Sequence, residues 1–186
     1  MAGLGSGATL VNELVQQYHC APDRCVSIVM SNCSKNHTLV NPQVYTFSGY
    51  CYNPPQPTVR PGVTEICLFG KTIGCATGAV GVLTYDVTDR QNSNQARLAI
   101  MFSVPFDYNH FENWFALGFF DKNRPCDESL YKHMYYETGK FTRGKSVGSE
   151  IKYCEEEERF TLKGTMSALG RSVMKVEFWD GCCTVI

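Results

Sequence analysis

The sequence lacks a long hydrophobic run, and it has almost no net charge. None of its stretches approaches the about 18 consecutive apolar residues of a transmembrane helix. Lysine and arginine number 17 against 18 aspartate and glutamate, a net charge of -1, so the chain lacks the basic surface that holds nucleic acid. Residues 1–10 have neither the basic nor the apolar region of a secretory signal. We therefore expect a soluble chain without a signal peptide, cytoplasmic or released by another route, and no nucleic acid partner.

Motifs for metal binding and catalysis are also lacking. The ten cysteines have no Cys-x-x-Cys spacing and no histidines at zinc-finger distance. The glycines between Gly3 and Gly7 lack the strand-to-helix setting of a nucleophile elbow or dinucleotide loop. We expect free, mostly buried thiols, no metal, no cofactor and no enzymatic activity.

What the sequence does contain is alternation typical of strands. With 186 residues and 44% hydrophobic residues, the chain is large enough for one core and one domain. Six segments alternate apolar and polar residues or are rich in β-branched and aromatic ones, and turn residues separate them. The predicted strands span residues 25–30, 79–87, 97–104, 114–120, 159–166 and 172–179.

Two short segments favour helices. In residues 8–19, apolar side chains recur at helical spacing, and they are Leu10, Val11, Leu14, Val15 and Tyr18. The second helix is predicted near residues 125–136, with Pro125 in its first turn. We predict a mainly β fold, a single β-sandwich over residues 25–179 flanked by two short helices, with a tail at 180–186.

Aromatic side chains concentrate in two places. Tyr131 and Tyr135 are four residues apart and share one helix face, with Tyr136 beside them. Upstream, a strand ends at Pro105 and an aromatic-rich loop follows. Its residues Tyr108, His110, Phe111 and Trp114 are suited to a membrane interface.

These segments resemble the actinoporins, pore-forming cytolysins of sea anemones, and most closely their vertebrate actinoporin-like relatives. The resemblance rests on the segments ATGAVGVL (residues 76–83), MFSVPFDYN (101–109), NW (113–114) and LYKHMYY (130–136). It extends more weakly from about residue 9 to residue 179.

The resemblance implies a phosphocholine pocket, a preference for membranes containing sphingomyelin, and homo-oligomers that insert the N-terminal helix to form a cation-permeable, haemolytic pore. Carried over by motif, the headgroup-binding residues are Ser48, Val80, Ser103, Pro105, Phe111, Tyr131, Tyr135 and Tyr136, where Phe111 replaces the family's usual tyrosine. Tyrosine faces attract a quaternary ammonium by cation–π interaction, and hydroxyl groups donate to its phosphate.

Departures from the family pattern leave a second function open. The 8–19 helix is only roughly 18 Å long against a hydrocarbon core of about 30 Å, and Arg143-Gly144-Lys145 stands where anemone members often have Arg-Gly-Asp. The alternative is a non-lytic module that binds lipid headgroups or, like fungal lectins of similar fold, carbohydrate at the same aromatic site. Independently, Cys183 lies four residues from the end in a CaaX-like pattern, which makes it a candidate lipidation site.

Overall fold

The protein is a sandwich of two six-stranded sheets in a computed structural model that describes residues 22–182. The first sheet has the order β10-β11-β12-β1-β5-β3 and the second β4-β2-β6-β7-β8-β9. Neighbouring strands are antiparallel except β1 and β12, which run parallel. The strands are β1 (Cys25–Asn32), β2 (Thr38–Ser48), β3 (Tyr50–Asn53), β4 (Thr58–Val59), β5 (Thr64–Gly70), β6 (Ala79–Thr88), β7 (Asn94–Val104), β8 (Trp114–Phe120), β9 (Phe141–Lys145), β10 (Ile151–Cys154), β11 (Phe160–Met166) and β12 (Arg171–Asp180).

The core lies between the two sheets and follows from the two-residue period of the strands. In β7, Leu98, Ile100 and Phe102 point into this core, whereas Ala99 and Met101 belong to a second cluster on the outer face of the sheet. Both faces of β6 are buried along its whole length, because a helix covers the outer face. The predicted β-sandwich is therefore confirmed.

The helix α1 (Glu128–Tyr136) packs Leu130, Tyr131 and Met134 onto the outer face of the second sheet. It begins later than the predicted boundary near residue 125 because Asp127 is its N-cap, accepting a hydrogen bond from the Leu130 amide at 2.9 Å. A side-chain cap of this kind satisfies an otherwise unpaired amide of the first turn. The predicted helix at 8–19 and Cys183 lie outside the described residues.

All six predicted strand segments form strands, with small shifts of their ends, and six further strands were not predicted. The long strand β2 shows why. Pro42 interrupts it, Asn41 adopts a φ of 51°, and the pairing with β6 shifts register between Val40 and Gln43. A bulge of this kind breaks the alternation on which strand prediction depends.

The prediction of free thiols is wrong for one pair. Cys154 and Cys182 form a disulfide with Cα atoms 5.8 Å apart. The two cysteines can meet because β10 and β12 both pair with β11 and both end near the start of β11. Cys25 and Cys67 are free and buried, as predicted, while Cys75 is exposed. Desolvation raises the pKa of Cys25 to about 11, so this thiol stays protonated at neutral pH.

Residues 22–182 contain neither a membrane-spanning helix nor a cluster of metal ligands. None of the helices in this part of the chain is long and apolar enough to cross a bilayer. The same residues contain no group of three or more histidine, cysteine, aspartate or glutamate side chains placed to hold a metal ion.

Candidate functional site

A row of five paired residues crosses the second sheet near one of its ends. Ser48 of β2 pairs with Val80 of β6, Val80 with Ser103 of β7, Ser103 with Trp114 of β8, and Trp114 with Lys145 of β9. Directly opposed residues in neighbouring strands share a face of the sheet. The sheet therefore aligns four of the predicted site residues, Ser48, Val80, Ser103 and Trp114, in a single row.

Helix α1 lays a stack of rings over this row. Tyr131 packs in the same cluster as Val80 and stacks on Phe47, with ring centroids 5.0 Å apart. Tyr135 lies tilted against Tyr131 at 5.6 Å, and Tyr136 lies edge-on to Tyr135 at 4.7 Å. The result is a row of four aromatic rings in mutual contact, which we call the ring stack.

Phe47 is the member of the ring stack that the sequence did not reveal. It is the extra residue in a bulge, because Thr46 pairs with Gly81 and Ser48 with the adjacent Val80. The bulge turns the Phe47 ring towards the helix, where half of it stays exposed. The sequence did contain one indication that Phe47 belongs to the site, because it directly precedes Ser48, a predicted site residue.

Exposure divides the predicted headgroup residues into a floor and a rim. Val80, Ser103 and Tyr131 are 8%, 4% and 3% exposed, and Pro105 is also buried. The side chains open to solvent are instead Tyr136 at 67% and Phe111 at 58%. The buried residues therefore shape and support the site, and a ligand would meet the rim.

The loop between β7 and β8 is held by a network centred on Asn113, which is 3% exposed. Its Oδ1 accepts a hydrogen bond from the Tyr108 hydroxyl at 2.7 Å. Its Nδ2 donates to the carbonyls of Ser167 and Leu169 at 3.1 and 3.0 Å, and its own carbonyl accepts from the Ser146 amide at 3.0 Å. One buried amide thus joins three loops at the same end of the sandwich.

A second contact shapes the tip of this loop. Asp107 accepts a hydrogen bond from the Asn109 amide at 2.8 Å, and its Oδ2 lies 2.7 Å from Nδ1 of His110. The hydrogen bond with His110, aided by that amide, lowers the pKa of the Asp107 carboxyl. The contact turns the chain so that Phe111, the next residue, projects outwards.

A cleft of about 340 Å³ separates this loop from the helix. Tyr135 forms one wall, and the other consists of residues 108–112 together with Trp114. Glu112 pairs with Lys145 at 2.5 Å, and the Lys145 ammonium also lies 5.6 Å from the Trp114 ring centroid. The charges at the mouth of the cleft are balanced, a setting that suits a ligand without net charge.

The chemistry available at the site is that of aromatic faces and neutral hydroxyl groups. Burial is the main cause of the raised pKa of Tyr131 and of Tyr108, so both hydroxyls stay protonated at neutral pH, and that of Tyr108 already donates to Asn113. Exposed rings such as Phe47 and Tyr136 can attract an organic cation through their faces.

The chain belongs to the family described as sea anemone cytotoxic protein, whose model matches residues 67–179. This stretch contains α1, the β7–β8 loop and most of the ring stack. The actinoporin resemblance inferred from the motifs is thereby confirmed.

Individual relatives support the same membership. The chain is 29% identical over 157 residues to Bryoporin of Physcomitrium patens, covering 83% of each. It is 41% identical over 112 residues to Deep sea actinoporin Cjtox II of Cribrinopsis japonica, covering 57% of this chain and 44% of the relative. The chain spans about half the length of the sea anemone cytolysins that it matches.

A solved structure agrees in fold. The lipid binding protein Nakanori superimposes with a TM-score of 0.67 over 95% of this chain and 89% of its own, at 9% sequence identity. At that identity the similarity concerns the sandwich alone.

Proposed function

We propose that this protein binds phosphocholine headgroups of membrane lipids, sphingomyelin included, and that it acts as a non-catalytic, actinoporin-like pore former. The observation that carries the proposal is the ring stack. Phe47, Tyr131, Tyr135 and Tyr136 lie one beside the next above the row of paired residues that contains Ser103, next to an open cleft of about 340 Å³. The family to which the chain belongs consists of cytotoxic proteins, which supports the lytic part of the proposal.

In the proposed complex, the quaternary ammonium lies against the exposed ring faces. Each cation–π contact contributes about 0.5–1 kcal/mol at an exposed position and about 2 kcal/mol when water is excluded. The exposed hydroxyl group of Tyr136 donates to the phosphate, and the buried Ser103 and Tyr131 support the rings from below. The balanced Glu112–Lys145 pair near the cleft fits a zwitterionic headgroup, because neither of its charges is repelled by a net local charge.

Pore formation extends this proposal beyond the described residues. Docked protomers would associate on the membrane, and the predicted 8–19 helix would insert. Family membership supports this step, and dye release from vesicles by the full chain, compared with a chain lacking residues 1–18, tests it.

The decisive experiment uses soluble phosphocholine, so that headgroup recognition is measured without a bilayer. We expect saturable binding, followed by NMR or calorimetry, and about 5- to 30-fold weaker binding for Tyr136→Ala, which corresponds to the loss of about 1–2 kcal/mol. Tyr136 is the informative position because it is 67% exposed and its removal leaves the core intact. Tyr131→Ala would instead remove a buried ring and confuse binding with folding.

Tyr50→Ala is the matched control. Tyr50 is also an exposed tyrosine, at 39%, but it lies on the other sheet, where it stacks on Tyr52. We expect its phosphocholine affinity to equal that of the wild type. Absence of wild-type binding to phosphocholine, combined with binding to a glycan, would replace this proposal with the carbohydrate alternative.

A further inference from the structure

Large apolar side chains that remain exposed within residues 22–182 are concentrated at one end of the sandwich. Besides the ring stack and the β7–β8 loop, which supply Phe47, Tyr136, Phe106, Tyr108 and Phe111, they comprise Tyr50, Ile73, Val147 and Leu169. The opposite end of the described chain has no large exposed apolar side chain of this kind. Contiguous exposed apolar surface on a folded protein marks an interaction site.

Three of these residues are aliphatic, and each lies in a different loop. Ile73 lies between β5 and β6, Val147 between β9 and β10, and Leu169 between β11 and β12. Their exposed fractions are 74%, 71% and 63%, respectively. We call them the aliphatic tips. They belong to neither the ring stack nor the cleft, and headgroup recognition gives no reason for them.

The three tips share a local design. Each aliphatic residue is followed directly by glycine, and Gly74 and Gly148 have φ values of 78° and 79°, which place them in the left-handed region that glycine adopts without strain. A Cβ atom at either of these two glycines would meet nothing within 4 Å. Ile73 and Val147 therefore stand in tight turns with open space beside them, whereas Gly170 after Leu169 packs closely against Asp23 and Arg24.

Each tip also has a basic residue two positions away, near the end of the adjoining strand: Lys71 for Ile73, Lys145 for Val147 and Arg171 for Leu169. A short apolar projection with a cation at its base matches the layering of a lipid surface, where acyl chains lie below a plane of phosphates. Two nearby carboxylates are paired with bases, Asp23 with Lys71 at 2.7 Å and Glu112 with Lys145 at 2.5 Å. Glu150, in the loop of Val147, is exposed and adds one negative charge to this end.

We propose that the three aliphatic tips insert into the bilayer, so that the membrane contact spans the loops of both sheets and the sandwich stands end-on. The proposal rests on the membrane function proposed above and adds a second, non-aromatic set of anchors to it. The Asn113 network supports simultaneous insertion of two of the tips, because it joins the loop of Leu169 and the residue before Val147 to the aromatic loop.

The test measures partitioning onto phosphatidylcholine vesicles by flotation. Ile73→Ser, Val147→Ser and Leu169→Ser should each lower the partition coefficient about tenfold, the effect expected when one mostly exposed aliphatic side chain can no longer be buried. Arg90→Ser is the control, because this exposed turn residue lies at the opposite end; it should leave partitioning unchanged. Soluble phosphocholine affinity should be the same for all four variants as for the wild type.

Depth is measured in the same vesicles with brominated lipids, which quench tryptophan inside the hydrocarbon. Ile73→Trp and Leu169→Trp should each be quenched by a larger fraction than the wild type, whose Trp114 and Trp179 give the background signal, and Arg90→Trp should not. If the wild type binds vesicles and the three serine variants bind within twofold of it, the aliphatic tips are not anchors, while headgroup binding stands. A wild-type dimer in solution that the same substitutions dissociate would also overturn the proposal, because the occupant of this surface would then be a second copy of the chain.

Discussion

Replacing Asn113 by alanine should be among the most damaging single changes at the end of the sandwich that carries the candidate site, although the residue touches no proposed ligand. The change removes three side-chain hydrogen bonds, one from Tyr108 and one each to the carbonyls of Ser167 and Leu169. At about 1 kcal/mol net for each hydrogen bond, we expect the free energy of unfolding to fall by about 3 kcal/mol. Domains of this kind are stable by about 5–15 kcal/mol, so the variant should fold.

Two further variants separate hydrogen bonding from packing. Tyr108→Phe removes one bond and should cost about 1 kcal/mol. Asn113→Asp keeps the shape and the acceptor for Tyr108, but it replaces the donating amide by a carboxylate oxygen that faces two carbonyls. If shape alone mattered, Asn113→Asp would resemble the wild type; if donation matters, it should be at least as destabilised as Asn113→Ala.

Urea unfolding followed by tryptophan fluorescence provides the measurement. The double variant Tyr108→Phe/Asn113→Ala should be no less stable than Asn113→Ala alone, because the bond between these residues is already lost. A loss below 0.5 kcal/mol for Asn113→Ala, on the order of a typical surface substitution, would refute the reasoning that this amide holds the loops together.

Three other predictions concern the same end of the molecule. Arg143→Gln should lower thermal stability, because the guanidinium donates to the carbonyls of Met134 and Glu137 at the C-terminal end of α1, at 2.9 and 2.8 Å. The melting temperature should fall by about 2–4 °C for each 1 kcal/mol lost. Calorimetry measures the fall, and Arg143→Lys should restore only part of the stability. Gly49→Ala should fold poorly, since φ is 82° and the new Cβ would lie 2.2 Å from the Gly70 carbonyl oxygen, and soluble yield together with circular dichroism reports the outcome. The pKa of Asp107 is lower in the folded protein than in the unfolded chain. Its contact with His110 therefore stabilises the loop at pH values above the unfolded pKa of about 3.9, and this stabilisation is lost as the pH falls through the lower folded pKa. In a carbon NMR titration the Asp107 pKa should rise in His110→Gln, and an unchanged pKa would contradict the contact.

The parts of the fold that were predictable are those whose physics is local. The strand at 114–120 was predicted with the boundaries that β8 has, because its apolar run is uninterrupted and bounded by turn residues. The strand β2 was missed because a proline and a residue with positive φ disturb its period. The disulfide between Cys154 and Cys182 was missed because β11 separates the two cysteines in sequence and only the folded sheet brings them together.

The candidate site shows the same division. The spacing of Tyr131 and Tyr135 was enough to place both on one helix face, and the structure stacks their rings. The position of Phe47 could not be predicted because it depends on a bulge in β2. The role of Asn113 could not be predicted because it depends on which three loops meet in the folded protein. The roles of the individual headgroup residues stay predictions.

The parallel pairing of β1 with β12 gives the molecule a polarity that bears on its two ends. Both strands start at the loops that carry the proposed anchors, and Pro22 lies at this same end. The ten residues of β12 span about 33 Å, so the chain leaves this strand at the opposite end of the sandwich. There Cys182 is bonded to Cys154.

A lipid on Cys183 would therefore be attached at the end remote from the docking loops.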